Sequence, residues 1–386
     1  MYNEHMISRK IEADLAGTKK SILLLGPRQV GKSTLIQMLK PSLVIQLADE
    51  AEFYAFSSNP SELRTRLDST DARTILIDEV QRLPSLLNTV QAIIDERRGI
   101  KFFLTGTSAR KLRRGGANLN PGRLLNFLMG PLVSSELDYK IVNQKILGHG
   151  SLPEIYLEKN SKIAEQILKS YVSNYISEEI RAEALVRNLE AFTRFSQSAI
   201  RQAGHFVDYS KMAKQAKVPR HSISRFFEIF EDTLIGHRIW PFEPVLEDAD
   251  LIKHPKFFLF DNGVYNATLG NFNVSSDRIG ILTEQLIFSQ LLHSAWAAQK
   301  QIKISTFRTR GGLEVDFIVE LDGEVFAIEV KGAQDVFQES VQSLKNFQHY
   351  YPHCSGLFLF HLGNQSKKLD GIWAHPWQKG FKELGL

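Results

Sequence analysis

The chain has 386 residues, 43% hydrophobic and 23% charged, enough for two or three globular domains with cores of their own. A net charge of +4 is compatible with a nucleic-acid partner without requiring one, and the single cysteine, Cys354, excludes a disulfide framework and a cysteine-built zinc site. The opening MYNEHMISRKIEADL has no apolar signal core and no membrane-length apolar run follows, so the expected setting is a reducing cytoplasm with no membrane contact.

In chain order, SILLLGPRQVGKSTLIQML reads as an apolar strand (Ile22 to Leu25), a loop and an apolar-periodic helix. The loop has the form G-x-x-x-x-G-K-[ST]. Gly26, Pro27, Arg28, Gln29, Val30, Gly31, Lys32, Ser33 and Thr34 then form a phosphate cradle for ATP. Glycines let backbone N–H groups face phosphate oxygens, Lys32 reaches the β- and γ-phosphates, and Ser33 ligates Mg²⁺.

RTILIDEVQRLP supplies a short buried strand, Thr74 to Ile77, ending in Asp78 and Glu79. Asp78 is expected to hold the Mg²⁺ shell and Glu79 to orient or deprotonate the attacking water. A third strand, KFFLTGTSARKL, ends in Thr105, Thr107 and Ser108. Thr105 would sit between the two earlier strand ends, where it could sense the γ-phosphate. Arg110, Lys111, Arg113, Arg114 and Arg123 follow with no acid between Ala109 and Leu124. They read as a solvated basic loop, as a DNA-phosphate contact, or as the source of an arginine finger for a neighbouring subunit, with Arg123 chosen for the last.

From about Pro153 to Leu189 the pattern is helical, with Tyr156, Ile163, Ile167, Leu168, Tyr171 and Tyr175 as packing residues. VDYSKMAKQAKVPRHSISRFFEIFEDTLIG has helix-turn-helix spacing. Met212, Ala213 and Ala216 face inward on its first helix, and Ile223, Phe226, Phe227 and Phe230 on its second. LIGHRIWPFEP can form a wing. Arg220, His221, Ser222, Ser224 and Arg225 lie where base-reading side chains project, although such modules also pack against protein.

GLEVDFIVELDGEVFAIEVK reads as a hairpin turning at Asp322-Gly323, a pair suited to a turn with positive φ at both positions. With Leu321 opposite Glu324, Asp316 lies opposite Glu329 and Glu314 opposite Lys331, their side chains on one face about 4.5–5.5 Å apart at Cβ. Val315, Phe317, Val319, Phe326, Ile328 and Val330 make the other, apolar face. Opposed acids need a positive partner, and a divalent metal is the natural candidate. A solvent-exposed sheet with an ordinary Glu314–Lys331 ion pair also fits.

GPRQVGKST, ILIDEV, FLTGTSARKLRRGGANL, HGSLPEIYL and RTRGGLEVDFIVE together make the chain resemble the AAA+-like P-loop ATPases of bacteria and archaea that carry a C-terminal domain of unknown function. The resemblance implies an ATPase that places nucleotide between neighbouring subunits of a homo-oligomeric ring of about six. The hairpin, the helix before it carrying Glu284, and the helix and strand after it resemble the PD-(D/E)xK nuclease core. That resemblance implies that Asp316 and Glu329 bind Mg²⁺ or Mn²⁺, that Lys331 assists the attacking water, and that Glu284 is an accessory ligand.

The expected architecture is α/β throughout. A parallel P-loop sheet over 1–140 precedes a helical linker over 141–200, a winged-helix-like region over 201–250 and a restriction-endonuclease-like core over 251–386. The expected function is a Mg²⁺-dependent ATPase acting on DNA, coupled to a module that binds or cuts nucleic acid. The alternative is an ATP-dependent switch or scaffold whose C-terminal module binds protein and cuts nothing.

Overall fold

The structure is a computed structural model that describes residues 7–96, 99–107, 123–176, 189–243 and 250–386. It divides into two compact units. One is built from Ser8–Gly130 with Asp232–Leu234, the other from Pro131–Glu231 and Ile235–Leu386.

In the first unit, β1 (Ser21–Leu25), β2 (Leu43–Gln46), β3 (Thr74–Asp78), β4 (Lys101–Gly106) and β5 (Leu124–Leu128) form a wholly parallel sheet in the order β2-β3-β4-β1-β5. Such a sheet is covered on both faces, which explains why every residue of SILLL in β1 is buried. Helices α1 (Glu12–Gly17), α2 (Lys32–Met38), α3 (Glu50–Ser58), α4 (Glu62–Asp68) and α5 (Leu86–Glu96) accompany it. Leu23, Leu25, Ile75, Ile77, Phe102 and Leu104 pack with Val90 and Ile93 of α5 in its core. Because the strands are parallel, the chain leaves β1, β3 and β4 along the same edge. That edge gathers the loop after Leu25, the Asp78 carboxylate and Thr105.

The second unit begins with α6 (Asn143–His149), α7 (Pro153–Leu157) and α8 (Ser161–Ser170), which runs into a π-helical turn at Tyr171–Ile176. The buried stripe of this region is Ala164, Leu168 and Tyr171, while the expected core residue Ile163 is 42% exposed. Helical geometry explains the correction. The next residue round the helix, about 100° away, faces inward instead. The side chain of Tyr175 lies outside the described residues.

Next come α9 (Leu189–Arg201), α10 (Tyr209–Ala216) and α11 (Arg220–Asp232). Asp208 caps α10 by accepting the Ser210 and Lys211 N–H groups, and Lys217, at φ 55°, breaks the chain before Pro219. Met212, Ala213, Ala216, Ile223, Phe226, Phe227 and Phe230 are buried as their spacing requires. Phe192 and Phe195 of α9 meet the α11 rings at centroid distances of 4.8–5.8 Å. An antiparallel ribbon, β6 (Gly236–Ile239) with β7 (Lys256–Leu259), follows α11.

The remainder is α12 (Asn262–Leu269), α13 (Ile279–Ala297), β8 (Ile302–Arg308), β9 (Glu314–Leu321), β10 (Glu324–Lys331), α14 (Gln342–Tyr350), β11 (Gly356–His361), β12 (Lys367–Leu369), β13 (Ile372–Pro376) and α15 (Trp377–Glu383). Its sheet runs β12-β13-β11-β10-β9-β8, with β10–β11 and β11–β13 parallel and the other pairings antiparallel. Asp261 ties this part to the HGSLPEIYL motif. Its Oδ2 accepts the Ser151 N–H at 2.7 Å, and a Cβ at Gly150 would lie 2.1 Å from its Oδ1. Among the described residues no helix is long and apolar enough to cross a membrane.

Candidate functional site

The segment Gly26–Gly31 joins β1 to α2, with Gln29 at φ 60° and Gly31 at φ 93° turning its backbone. A Cβ on Gly26 would stand 2.1 Å from the Met129 carbonyl oxygen, so the cradle is closed to any larger residue there. Lys32 is buried at the start of α2, and its Nζ donates to the Gly26 and Pro27 carbonyls at 2.9 and 2.8 Å. Sequence reasoning missed Arg9. Its guanidinium donates to the Val30 carbonyl at 2.6 Å and to the Gly130 carbonyl at 2.8 Å, holding the loop from outside the motif.

Asp78 stands at the tip of β3, buried. Its Oδ1 accepts the Ser33 hydroxyl at 2.7 Å and the Thr105 hydroxyl in a short contact. Thr105 Oγ1 also accepts the Glu79 N–H at 3.2 Å, so this one hydroxyl joins the ends of β3 and β4. Glu79 adopts φ 57°, and its Oε2 accepts the Gln81 side-chain amide. The Ser33 hydroxyl and Asp78 carboxylate are thus neighbours with hard oxygen donors, an arrangement that fits Mg²⁺. Arg123 does not join this group. It precedes Leu124, which pairs with Ser21 at the start of β1, so it lies at the other edge of the sheet, ion-paired to Asp95 at 2.6 Å. Ser108, Arg110, Lys111, Arg113 and Arg114 lie outside the described residues.

Residues 18–137 match the family model described as AAA domain. They form a P-loop ATPase domain of the AAA type. Residues 143–275 and 279–379 match two models described as domains of unknown function, DUF8612 and DUF4143. Uncharacterized proteins of Mycobacterium bovis (Mb2031c) and Mycobacterium tuberculosis (Rv2008c) are each 23% identical over 321 residues, covering 80% of this chain and 70% of theirs. Among solved structures, the replication initiator DnaA bound to AMPPCP and single-stranded DNA overlaps with a TM-score of 0.26 at 11% identity, over 57% of this chain and 85% of its own. A STAND protein with a tetratricopeptide repeat sensor from Pyrococcus horikoshii overlaps with a TM-score of 0.25 at 11% identity, over 76% and 47%. Neither overlap is close enough to carry a fold across the whole chain.

The C-terminal hairpin turns at Asp322 (φ 50°) and Gly323 (φ 91°), with Leu321 opposite Glu324 and Phe317 opposite Ile328, the register expected. Beyond that pair the ladder ends. Asp316 Oδ2 accepts the Val330 N–H at 2.8 Å, so a side chain completes the strand edge. Asp316 and Glu329 are 9% and 7% exposed, which rules out a solvent-facing sheet. The face expected to be polar also carries Ile318 and Ala327, both buried in a core with Leu344 and Phe347 of α14.

The expected Glu314–Lys331 pair does not form. Glu314 faces Arg308 on β8 and binds it at 3.1 Å, while Lys331 turns to Glu329 Oε1 at 2.6 Å. Ser343 of α14 donates to Glu329 Oε2 at 2.9 Å, so both oxygens of that carboxylate are held by protein donors. Burial, with the Asp316 charge beside it, pushes Glu329 up to about 7.

The residue missed here is Lys256, the first of β7. It is 3% exposed, with Nζ 2.8 Å from Glu314 Oε1 and 3.4 Å from Glu284 Oε2. Burial would lower its ammonium, but Glu284, Asp316 and Glu314 outweigh burial and raise it, so it stays charged. Among the described residues no group of three or more His, Cys, Asp or Glu side chains is arranged to hold a metal ion. Glu284, Asp316 and Glu329, expected as ligands, do not fit one as they stand, because their oxygens answer to Lys256, the Val330 amide, Lys331 and Ser343.

On the helix pair, Arg220, His221 and Arg225 are exposed and Ser222 is half-buried. Ser224 departs from the expectation. Its hydroxyl accepts from Arg238 at 3.4 Å, and Arg238 is itself fixed by Glu231 at 2.7 Å and by the Tyr209 hydroxyl at 3.1 Å. The side chain therefore faces the β6 ribbon.

Proposed function

We propose that the chain is an ATP-driven switch that acts on DNA, gripping the duplex with the winged-helix-like α10–α11 pair while the nuclease-like C-terminal sheet binds without cutting. The observation that carries the reading is the charge of that pair. Lys211, Lys214, Lys217, Arg220 and Arg225 are exposed together, against the exposed acids Asp208, which caps α10, and Glu228. Phosphate contacts from such a face provide sequence-independent affinity and a steep salt dependence.

Lys32, whose ammonium donates to the Gly26 and Pro27 carbonyls, would hold the phosphate oxygens of ATP together with the loop's backbone N–H groups. Ser33 and Asp78 would hold Mg²⁺, which neutralises charge building on the phosphates. Glu79 aligns water, and Thr105 couples its backbone to the Asp78 carboxylate. Assembly into a ring with Arg123 as the finger for a neighbouring subunit's nucleotide is part of the proposal; the residue lies at the edge of the sheet away from its own phosphate loop, where it pairs with Asp95.

Fluorescence anisotropy with a labelled duplex across a salt series tests the DNA half. Arg220→Ala with Arg225→Ala should weaken binding alike on all sequences and lower the salt slope by about two, roughly one per lost phosphate contact. Binding unchanged in the double variant, or absent from the wild type at low salt, sinks it.

A further inference from the structure

We infer that Lys256 is a built-in cation standing where a divalent metal would bind, so that the C-terminal acid cluster is held together without metal. Four acids meet at this end of the sheet, Glu284, Glu314, Asp316 and Glu329, and three cations reach them, Lys256, Arg308 and Lys331. Lys256 is the central one. Its Nζ lies between Glu284 on α13 and Glu314 on β9, and its charge acts on Asp316 as well.

A Mg²⁺ or Mn²⁺ ion needs carboxylate oxygens at about 2.0–2.2 Å and keeps its other positions for water or phosphate. An ammonium 3.4 Å from the Glu284 carboxylate expected as a ligand, and 2.8 Å from Glu314 beside it, blocks that approach sterically and repels the ion. Withdrawal of Lys256 would leave buried Asp316 and half-buried Glu284 short of counter-charge, with Arg308 still on half-buried Glu314, and folded proteins strongly resist uncompensated charge in such a place. The surroundings also fix the lysine. Its Nζ and the Arg308 guanidinium lie 5.3 and 5.2 Å from the centre of the Phe206 ring, and its backbone pairs with Ile239 in the β6–β7 ribbon.

The arrangement crosses a boundary that sequence comparison draws. Lys256 lies within the stretch matched over 143–275, and all four acids within the stretch matched over 279–379. The central cation of the cluster is therefore supplied from outside the stretch that contains the hairpin, Arg308 and Lys331, and the two matched stretches share one electrostatic centre.

Mn²⁺ alone, titrated calorimetrically without nucleotide, tests the assignment on the full chain. Asp78→Asn serves as the parent so that the P-loop site contributes no signal. The parent should bind no Mn²⁺ at millimolar concentration. Lys256→Met, of similar length but uncharged, should gain Mn²⁺ affinity by tenfold or more, and adding Asp316→Asn should abolish the gain. Binding by the parent that Asp316→Asn removes would overturn the inference, as would a Lys256→Met protein that binds no better than the parent. Should Lys256→Met fail to fold, Lys256→Gln replaces it. The parent's melting temperature with Mn²⁺ is an independent measurement, since a rise that depends on Asp316 also overturns the assignment.

Discussion

Two strand ends in this molecule carry buried acids, and their partners differ. At the tip of β3, Asp78 is met by the hydroxyls of Ser33 and Thr105, neutral donors that leave its negative charge available to a cation. At the mouth of the β9–β10 hairpin, Asp316 and Glu329 are met by an amide, a hydroxyl and, above all, the ammonium groups of Lys256 and Lys331. Both places look like metal sites when only acids are counted. The donors around them separate a site awaiting a charge from one already balanced.

The largest effect expected is at the first site. Glu79→Gln should lower the rate of ATP hydrolysis by about 10²- to 10⁴-fold while leaving nucleotide affinity intact, measured by phosphate release beside direct binding. Next, Lys32→Ala should weaken ATP binding by roughly 30-fold or more. Lys331→Ala should leave both quantities unchanged, and a large ATPase loss there would break the contrast between the two sites. Thr105→Val removes a hydrogen bond to a charged group, worth about 1.5–3 kcal/mol, and should cost hydrolysis about 10- to 100-fold.

The smallest effect concerns the second unit alone. His237 is half-buried against Phe288 and Trp296 with its Nε2 shielded from solvent, and burial pushes its ring down to about 4 against the opposing charge of Glu231. The unfolded chain titrates this group near 6.5, so as pH falls the unfolded state takes up the proton first. Its stabilising contribution is complete above about 6.5 and is lost as pH drops towards 4. His237→Phe should flatten the fall in melting temperature between pH 7 and 5, by a few degrees.

The nucleotide site was legible because its parts are local. A loop of fixed spacing between strand and helix states its geometry in a single stretch, and the parallel sheet brings Asp78 and Thr105 to the same edge. The hairpin was legible for a similar reason, since Asp322-Gly323 sets the register through Phe317 and Ile328. Its chemistry was not. Lys256 lies about sixty residues before Asp316, in a strand of another sheet, and KFFL reads as an ordinary buried strand with a terminal lysine. Ser224 was misplaced for the same kind of reason. Arg238, which turns it inward, belongs to a ribbon beyond the end of its helix.

Arg9 has a practical consequence for anyone trimming the protein. The AAA match begins at residue 18, and a fragment cut there would keep every residue of GPRQVGKST. It would also lose the guanidinium that grips the Val30 and Gly130 carbonyls on either side of the cradle. Such a fragment would carry an intact phosphate-binding motif on a slack loop. Weak ATP affinity measured on it would describe the cut and not the enzyme.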